Sequence, residues 1–230
     1  MNESLKRIIL DIKDITKNPI DNIYYLPDEE NITNGYAMII GPESTPYQYG
    51  YYLFKFEFSK QYPYEPPRVT YHTNDGIIRF NPNFYRNGKV CLSILNTWQG
   101  EKWSSCQSIR SVLLTLQMTL NEIPLLNEPG INMLQHKKQI NIYNEILTYK
   151  NIELAIIRYL ENIENIPELF RCFYDIMVEK YYENKEKIIE VIHKNNNSAC
   201  EPIPKFISIY NMPTTCNYEV LNQKINKLKL

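Results

Sequence analysis

The chain has no C-x-x-C pair, no cluster of histidines, no internal repeat and no apolar run approaching the twenty or so residues that a membrane-spanning helix needs. Its 5 cysteines, Cys91, Cys106, Cys172, Cys200 and Cys216, are odd in number and widely spaced, which argues against a disulfide framework. The 3 histidines, His72, His136 and His193, are too far apart for zinc-ligand spacing, so no metal is expected. A formal net charge of -1 gives no long-range field toward nucleic acid or an anionic membrane, and a protein partner is the better expectation. Charges interrupt the apolar positions of MNESLKRIILDI, so the N-terminus has no signal-peptide pattern. The expectation is a soluble, cytoplasmic chain, with the nucleus also open to it. The Asn-x-Ser/Thr triplets at Asn31 and Asn196 read as chance matches in an Asn-rich chain.

What is present suits one sizeable core, since 230 residues at 43% hydrophobic content cannot supply two large independent ones. Ser4 is a candidate cap for a helix carrying Leu5, Ile8, Ile9, Ile12 and Ile15 at helical spacing, with Pro19 as its stop. Strands are predicted at 23–26, 36–40, 51–58 and 69–72, separated by turn signals such as Asn34-Gly35. Short connections make them an antiparallel meander, with Tyr52, Phe54, Phe56 and Phe58 on one face. Residues 74–105 read as irregular, and so long a structureless stretch is usually functional. A helix over 108–120 follows, with Ile109, Val112, Leu113, Leu116 and Leu120 on a broad apolar face. Beyond Gly130, helices are predicted at 141–163 and 167–193, then an extended linker through Pro202, Pro204 and Pro213, and an amphipathic end at Leu221, Ile225 and Leu228. The class is α+β, one core followed by a run of helices beyond Gly130.

Within the irregular stretch, FNPNFYRNGKVCLSIL sets Cys91 between Val90 and Leu92, after two turns, Asn81-Pro82-Asn83 and Asn87-Gly88. A cysteine in an apolar triplet is more often a buried small hydrophobe than a nucleophile. Turns on the upstream side favour a loop position, where sites are usually built. A cysteine hydrolase would need a histidine within hydrogen-bond reach, and the spacing places neither His136 nor His193 there. The neighbourhood supplies amides instead: Asn81, Asn83, Asn87 and Asn96. An amide can donate to an oxyanion but is no base, a combination that suits transfer from an already activated thioester.

Three blocks, GPESTPYQYGYYLFKFEFSKQYPYEPPRVTYHT, FNPNFYRNGKVCLSIL and WSSCQSIRSVLLTLQ, resemble the catalytic domain of ubiquitin-conjugating enzymes in order and spacing over about residues 3 to 150, which implies a catalytic domain over 3–150 and a helical C-terminal extension and tail over 151–230. The Tyr-Pro-x-x-Pro-Pro turn, the x-Pro-Asn turn, the Gly-x-x-Cys-Leu-x-Ile-Leu block and the later Trp-Ser carry the resemblance. Asn81 where the family has histidine, a widened segment from Asn96 to Trp103, the NEPG motif at Asn127 to Gly130 and the helical extension resemble the Z-type branch.

The resemblance implies that Cys91 accepts ubiquitin, or a ubiquitin-like modifier, as a thioester from an activating enzyme and passes it to a lysine or a ligase cysteine. It implies no bound cofactor, ATP being used by the activating enzyme; charge and hydropathy have already argued against a nucleic-acid or membrane partner. Asn83 matches the asparagine associated with site organisation and the oxyanion, although a turn residue bonding its own loop would look the same. Glu128 falls near the acidic position that orients the incoming lysine, with a solvated loop carboxylate as the plain alternative. Leu114 matches a position that holds the linked modifier, where periodicity alone makes it core. Tyr64 replaces an aromatic that contacts ligases, and Ser105-Cys106 replaces the Pro-Ala of the second contact loop, which leaves ligase choice open. A catalytically inactive relative of the same fold, binding the modifier without accepting it, is the non-enzymatic alternative, and its mark would be the absence of the thiol.

Overall fold

The computed structural model describes residues 3–196 and 201–230, so Cys200 and Ser198 of the triplet at Asn196 lie outside it. Helix α1, Glu3–Lys17, buries Ile8 and Ile15. Ser4, expected as its cap, lies inside the helix and donates from Oγ to the carbonyl of Ser59 at 3.1 Å, a tertiary bond that uses the hydroxyl instead. Asp11 is buried on the same face and bonds Arg7 Nε at 2.8 Å, the Tyr62 hydroxyl and the Ile109 N–H at 3.2 Å. A buried carboxylate is tolerable only when partnered in this way, and here one partner is the positive end of a helix.

Strands β1 Ile23–Pro27, β2 Asn34–Ile40, β3 Tyr51–Glu57 and β4 Arg68–Tyr71 pair antiparallel in sequence order, within a residue or two of the predicted limits. Alternation sends Ala37, Ile39, Tyr52, Phe54 and Phe56 into a first core with α1 and with helix α2, Ile109–Thr119. Ser108 caps α2 through a reciprocal pair of bonds with Ser111. The other sheet face, Tyr36, Met38, Ile40, Tyr51 and Leu53, is equally buried, in a second core.

That second core is built by the later helices. Helix α3, Met133–Lys150, starts well before the predicted residue 141, because Asn132 caps it through the Gln135 N–H at 2.9 Å. Its first turns carry exposed side chains such as Leu134, so no apolar period marks them. A π-helical stretch, Asn151–Ile157, leads into α4, Arg158–Glu161. Buried Asn151 there accepts from the Tyr52 hydroxyl at 2.6 Å and donates to Gln48 O at 2.9 Å, tying the turn to the sheet. The predicted helix from Pro167 begins as a 3-10 turn, Glu168–Phe173, and becomes α5, Tyr174–Asn195. Phe170, Phe173, Met177 and Tyr181 cover the second sheet face. Replacing Phe170 with alanine is expected to cost about 3–5 kcal/mol in chemical denaturation, the range for emptying a large aromatic site in a core; a loss under 1 kcal/mol would show that the cover is loose.

The predicted proline linker is instead an antiparallel hairpin, β5 Ile203–Ile207 and β6 Met212–Cys216, packed on α3. Pro204 and Pro213 point to solvent, while Met212, Thr214 and Cys216 alternate inward. A two-stranded ribbon has free edges on which proline is tolerated, so the residues that suggested a linker do not prevent pairing. Helix α6, Tyr218–Lys227, then docks Leu221 and Ile225 on α5, so the amphipathic end, which could have met the body or a partner, meets the body. Among the described residues no helix is long and apolar enough to cross a membrane.

Candidate active site

The Asn81-Pro82-Asn83 turn is held from below by Asn81, which is fully buried. Its amide nitrogen donates to the Tyr47 hydroxyl and to Thr119 O, both at 2.9 Å, and its Oδ1 accepts the Asn83 N–H at 2.9 Å. Tyr47 in turn donates to Phe80 O at 2.7 Å, and burial pushes its phenol well above the ordinary tyrosine range. A second support comes from Arg79, whose guanidinium donates to Asn81 O at 3.0 Å and Pro82 O at 2.6 Å while stacked 3.5 Å from the Tyr85 ring centre. The turn is therefore over-determined by polar groups that water would otherwise claim.

Cys91 is fastened to this turn by two bonds. Its N–H donates to Asn83 O at 2.9 Å, and its carbonyl accepts from Asn83 Nδ2 at 2.7 Å. The cysteine is 3% exposed and free of any disulfide. Thr97 closes the other side, its hydroxyl donating to Val90 O at 2.8 Å and accepting the Leu92 N–H at 2.9 Å. Asn83 and Leu92 border an open cleft of about 430 Å³, completed by Trp98, Thr115, Met118, Thr119, Asn121 and Asn127. No histidine lines it among the described residues. His72 lies tilted against Phe170, and burial lowers its pKa, while His136 accepts the Asn132 N–H at 3.3 Å at the start of α3.

The other expected residues fall at three places. Glu128 is half-buried but does not line the cleft, as its neighbour Asn127 does; its Oε2 accepts from the Tyr210 hydroxyl at 2.5 Å. Leu114 lies on the outer face of α2, 37% exposed beside the fully buried Leu113 and Leu116, so periodicity alone misassigns it to the core. Tyr64 is 67% exposed, and Ser105 is exposed, its carbonyl accepting from Arg7 Nη1 at 2.8 Å. Trp103 joins the loops of these two residues by donating from its indole nitrogen to Pro63 O at 2.7 Å. Cys106 is exposed on the loop that Arg7 grips. Of the others, Cys172 is exposed, and Cys216 is buried with its thiol pushed up to about 11 by desolvation. Arg79 and Tyr210 had no local signal in the sequence. Trp98 and Asn127 fall inside the two segments that carry the Z-type resemblance, the widened loop and the NEPG motif.

The backbone of Cys91 is thus fixed to a rigid turn, and its partner Asn83 and neighbour Leu92 border a cleft that also presents Asn121 and Asn127. The model of the ubiquitin-conjugating enzyme family matches residues 7–166. The ubiquitin-conjugating enzyme E2 Z of Xenopus tropicalis is 40% identical over 188 residues, 81% of this chain and 60% of that protein. The Homo sapiens ubiquitin-conjugating enzyme E2 Z is 42% identical over 182 residues, 79% of this chain and 51% of that protein. A probable ubiquitin-conjugating enzyme of Caenorhabditis elegans is 31% identical over 199 residues, 83% of this chain and 27% of that protein. The chain belongs to the ubiquitin-conjugating enzyme family, and the resemblance to the Z-type branch holds. It spans between half and two thirds of the length of the E2 Z relatives it matches.

Proposed function

We propose that the chain is an active ubiquitin-conjugating enzyme with Cys91 as its carrier thiol. The Cys91 sulfur attacks the thioester carbonyl on an activating enzyme, whose own thiolate leaves, and the modifier becomes bonded to Cys91. A lysine amine then attacks the same carbonyl, the oxyanion collapses, and the Cys91 thiolate is expelled as the isopeptide forms; a ligase cysteine can take the place of the amine. The carrier step holds no cofactor, ATP being consumed at the activating enzyme. Asn83 commits one amide hydrogen to the Cys91 carbonyl and keeps the second for the oxyanion. Glu128 assists proton loss from the lysine. Leu114 contacts the linked modifier, and the loops of Tyr64 and Ser105 contact a ligase. The observation that carries this reading is the pair of hydrogen bonds joining Asn83 and Cys91, beside a cleft that no histidine lines among the described residues.

The test is incubation with activating enzyme, ATP and ubiquitin, followed by peptide mapping. The expected result is a reductant-sensitive adduct on the Cys91 peptide that persists until an amine or thiol is added. Rapid release to water would identify a hydrolase, and an adduct on Cys106 would show that the wrong thiol was assigned. No adduct with any activating enzyme and modifier would identify an inactive relative.

A further inference from the structure

The tip of the C-terminal hairpin reaches both halves of the site. Its residues Ser208–Tyr210 form a single 3-10 turn, closed by Asn211 in the left-handed region at φ 49°. From there the Tyr210 hydroxyl donates to Glu128 Oε2 at 2.5 Å and the Tyr210 carbonyl accepts from Arg86 Nη2 at 2.6 Å. The Tyr210 ring lies 5.6 Å from the Tyr143 ring and 5.5 Å from the guanidinium of Arg79, the side chain that holds the carbonyls of Asn81 and Pro82. Met212, two residues on, accepts the Arg79 N–H through its sulfur at 3.0 Å, and it is buried in the first core with Ile207. The tip is thus anchored on both flanks, which fixes the position of the phenol. Glu128 Oε2 is committed to that phenol, whereas Oε1 has no protein partner among the described residues. A carboxylate held by one oxygen presents the other in a defined direction, which is what a proton acceptor for an incoming amine needs.

We propose that Tyr210 is the positioning residue for Glu128, making the C-terminal hairpin part of the machinery that discharges the modifier onto lysine. This rests on the functional reading above. Burial and the neighbouring Glu128 carboxylate hold the phenol protonated, so it acts as a donor and not as a base. Its contribution is geometric and reaches the substrate only through Glu128.

Tyr210→Phe tests this, because it keeps the ring against Arg79 and removes only the donor. With the full chain charged on Cys91, single-turnover discharge to free lysine is expected to slow by about tenfold, while charging is unchanged. Hydroxylamine is already a neutral nucleophile near pH 7 and does not need Glu128, so it should discharge Tyr210→Phe and wild type at equal rates. In a Glu128→Ala background, adding Tyr210→Phe should change nothing further, since the interaction is already gone. Equal slowing with lysine and hydroxylamine, or full additivity with Glu128→Ala, would reduce Tyr210 to a structural prop and overturn the proposal. So would a wild-type lysine rate, or loss of charging in Tyr210→Phe. A wild-type chain that takes no modifier would instead remove the functional reading itself, and this inference with it.

Discussion

Asn83→Ala is expected to accept the modifier on Cys91 at nearly the wild-type rate and then to discharge it to free lysine on the order of a hundredfold more slowly, the loss typical of one oxyanion donor. The two steps differ chemically. Thiol attack on a thioester exchanges like for like and can proceed from a thiol near the ordinary cysteine pKa of about 8.5. Lysine, with an ordinary pKa near 10.4, must shed a proton and build charge on oxygen while a thiolate leaves. The substitution also deletes the bond from Asn83 Nδ2 to Cys91 O, but the turn keeps its other supports: the Cys91 N–H to Asn83 O, the buried Asn81 bridge and the Arg79 clamp. Losing one such bond should cost about 1 kcal/mol of stability, too little to move the thiol out of reach. If Asn83 served only its own loop, charging and discharge would fall together. Glu128→Ala should show a smaller discharge defect that shrinks as pH rises, because neutral lysine then becomes available without help. Wild-type discharge by a folded, fully charged Asn83→Ala chain would refute the oxyanion role.

Local chemistry made much of this site legible in the sequence. The turn at Asn81-Pro82-Asn83, the irregular stretch around Cys91 and the alternation in the third strand are short-range signals, and the structure places all of them within a residue or two. Asn81 is buried and bridges Tyr47, Thr119 and Asn83, which makes it a support of the loop. What stayed hidden depends on partners far along the chain. Asp11 looks like a solvated helix residue until Tyr62 and the start of α2 close over it. Glu128 looks like a loop carboxylate until Tyr210 arrives from the hairpin. That hairpin was obscured by its prolines, although Ile207, Met212, Thr214 and Cys216 carry the two-residue period of a half-buried ribbon. The doubly buried sheet was also readable in part, since the alternate positions Tyr51 and Leu53 are as apolar as Tyr52 and Phe54. Apolar residues on both faces of a strand imply a second layer, here supplied by residues beyond 150.

A chain cut after Ile166, where the family match ends, is expected to lose cooperative folding even though Cys91, Asn83 and Glu128 all precede the cut. The cut removes Phe170, Phe173, Met177 and Tyr181 from the second core and leaves Tyr36, Met38, Ile40, Tyr51 and Leu53 with only the partial cover of residues such as Ile152, Ile156 and Leu160. It also strands the Tyr51 hydroxyl, which donates to Met177 O at 2.7 Å. Deleting these residues releases their own ordering entropy, so the relevant loss is the one suffered by the sheet that remains. A large apolar side chain is worth about 1.5–3 kcal/mol when fully covered, so five of them at half that value already reach the lower end of the roughly 5–15 kcal/mol by which a domain is stable. The part of that face left bare is moreover an apolar patch, which drives association. Thermal melting by circular dichroism and size-exclusion chromatography can follow this, with charging of Cys91 as the functional readout. The truncated chain should melt without a sharp transition, elute as aggregate and charge poorly. A monomer that melts as cooperatively as the full chain and charges normally would show that the sheet stands without its second cover and that residues 167–230 serve partners alone.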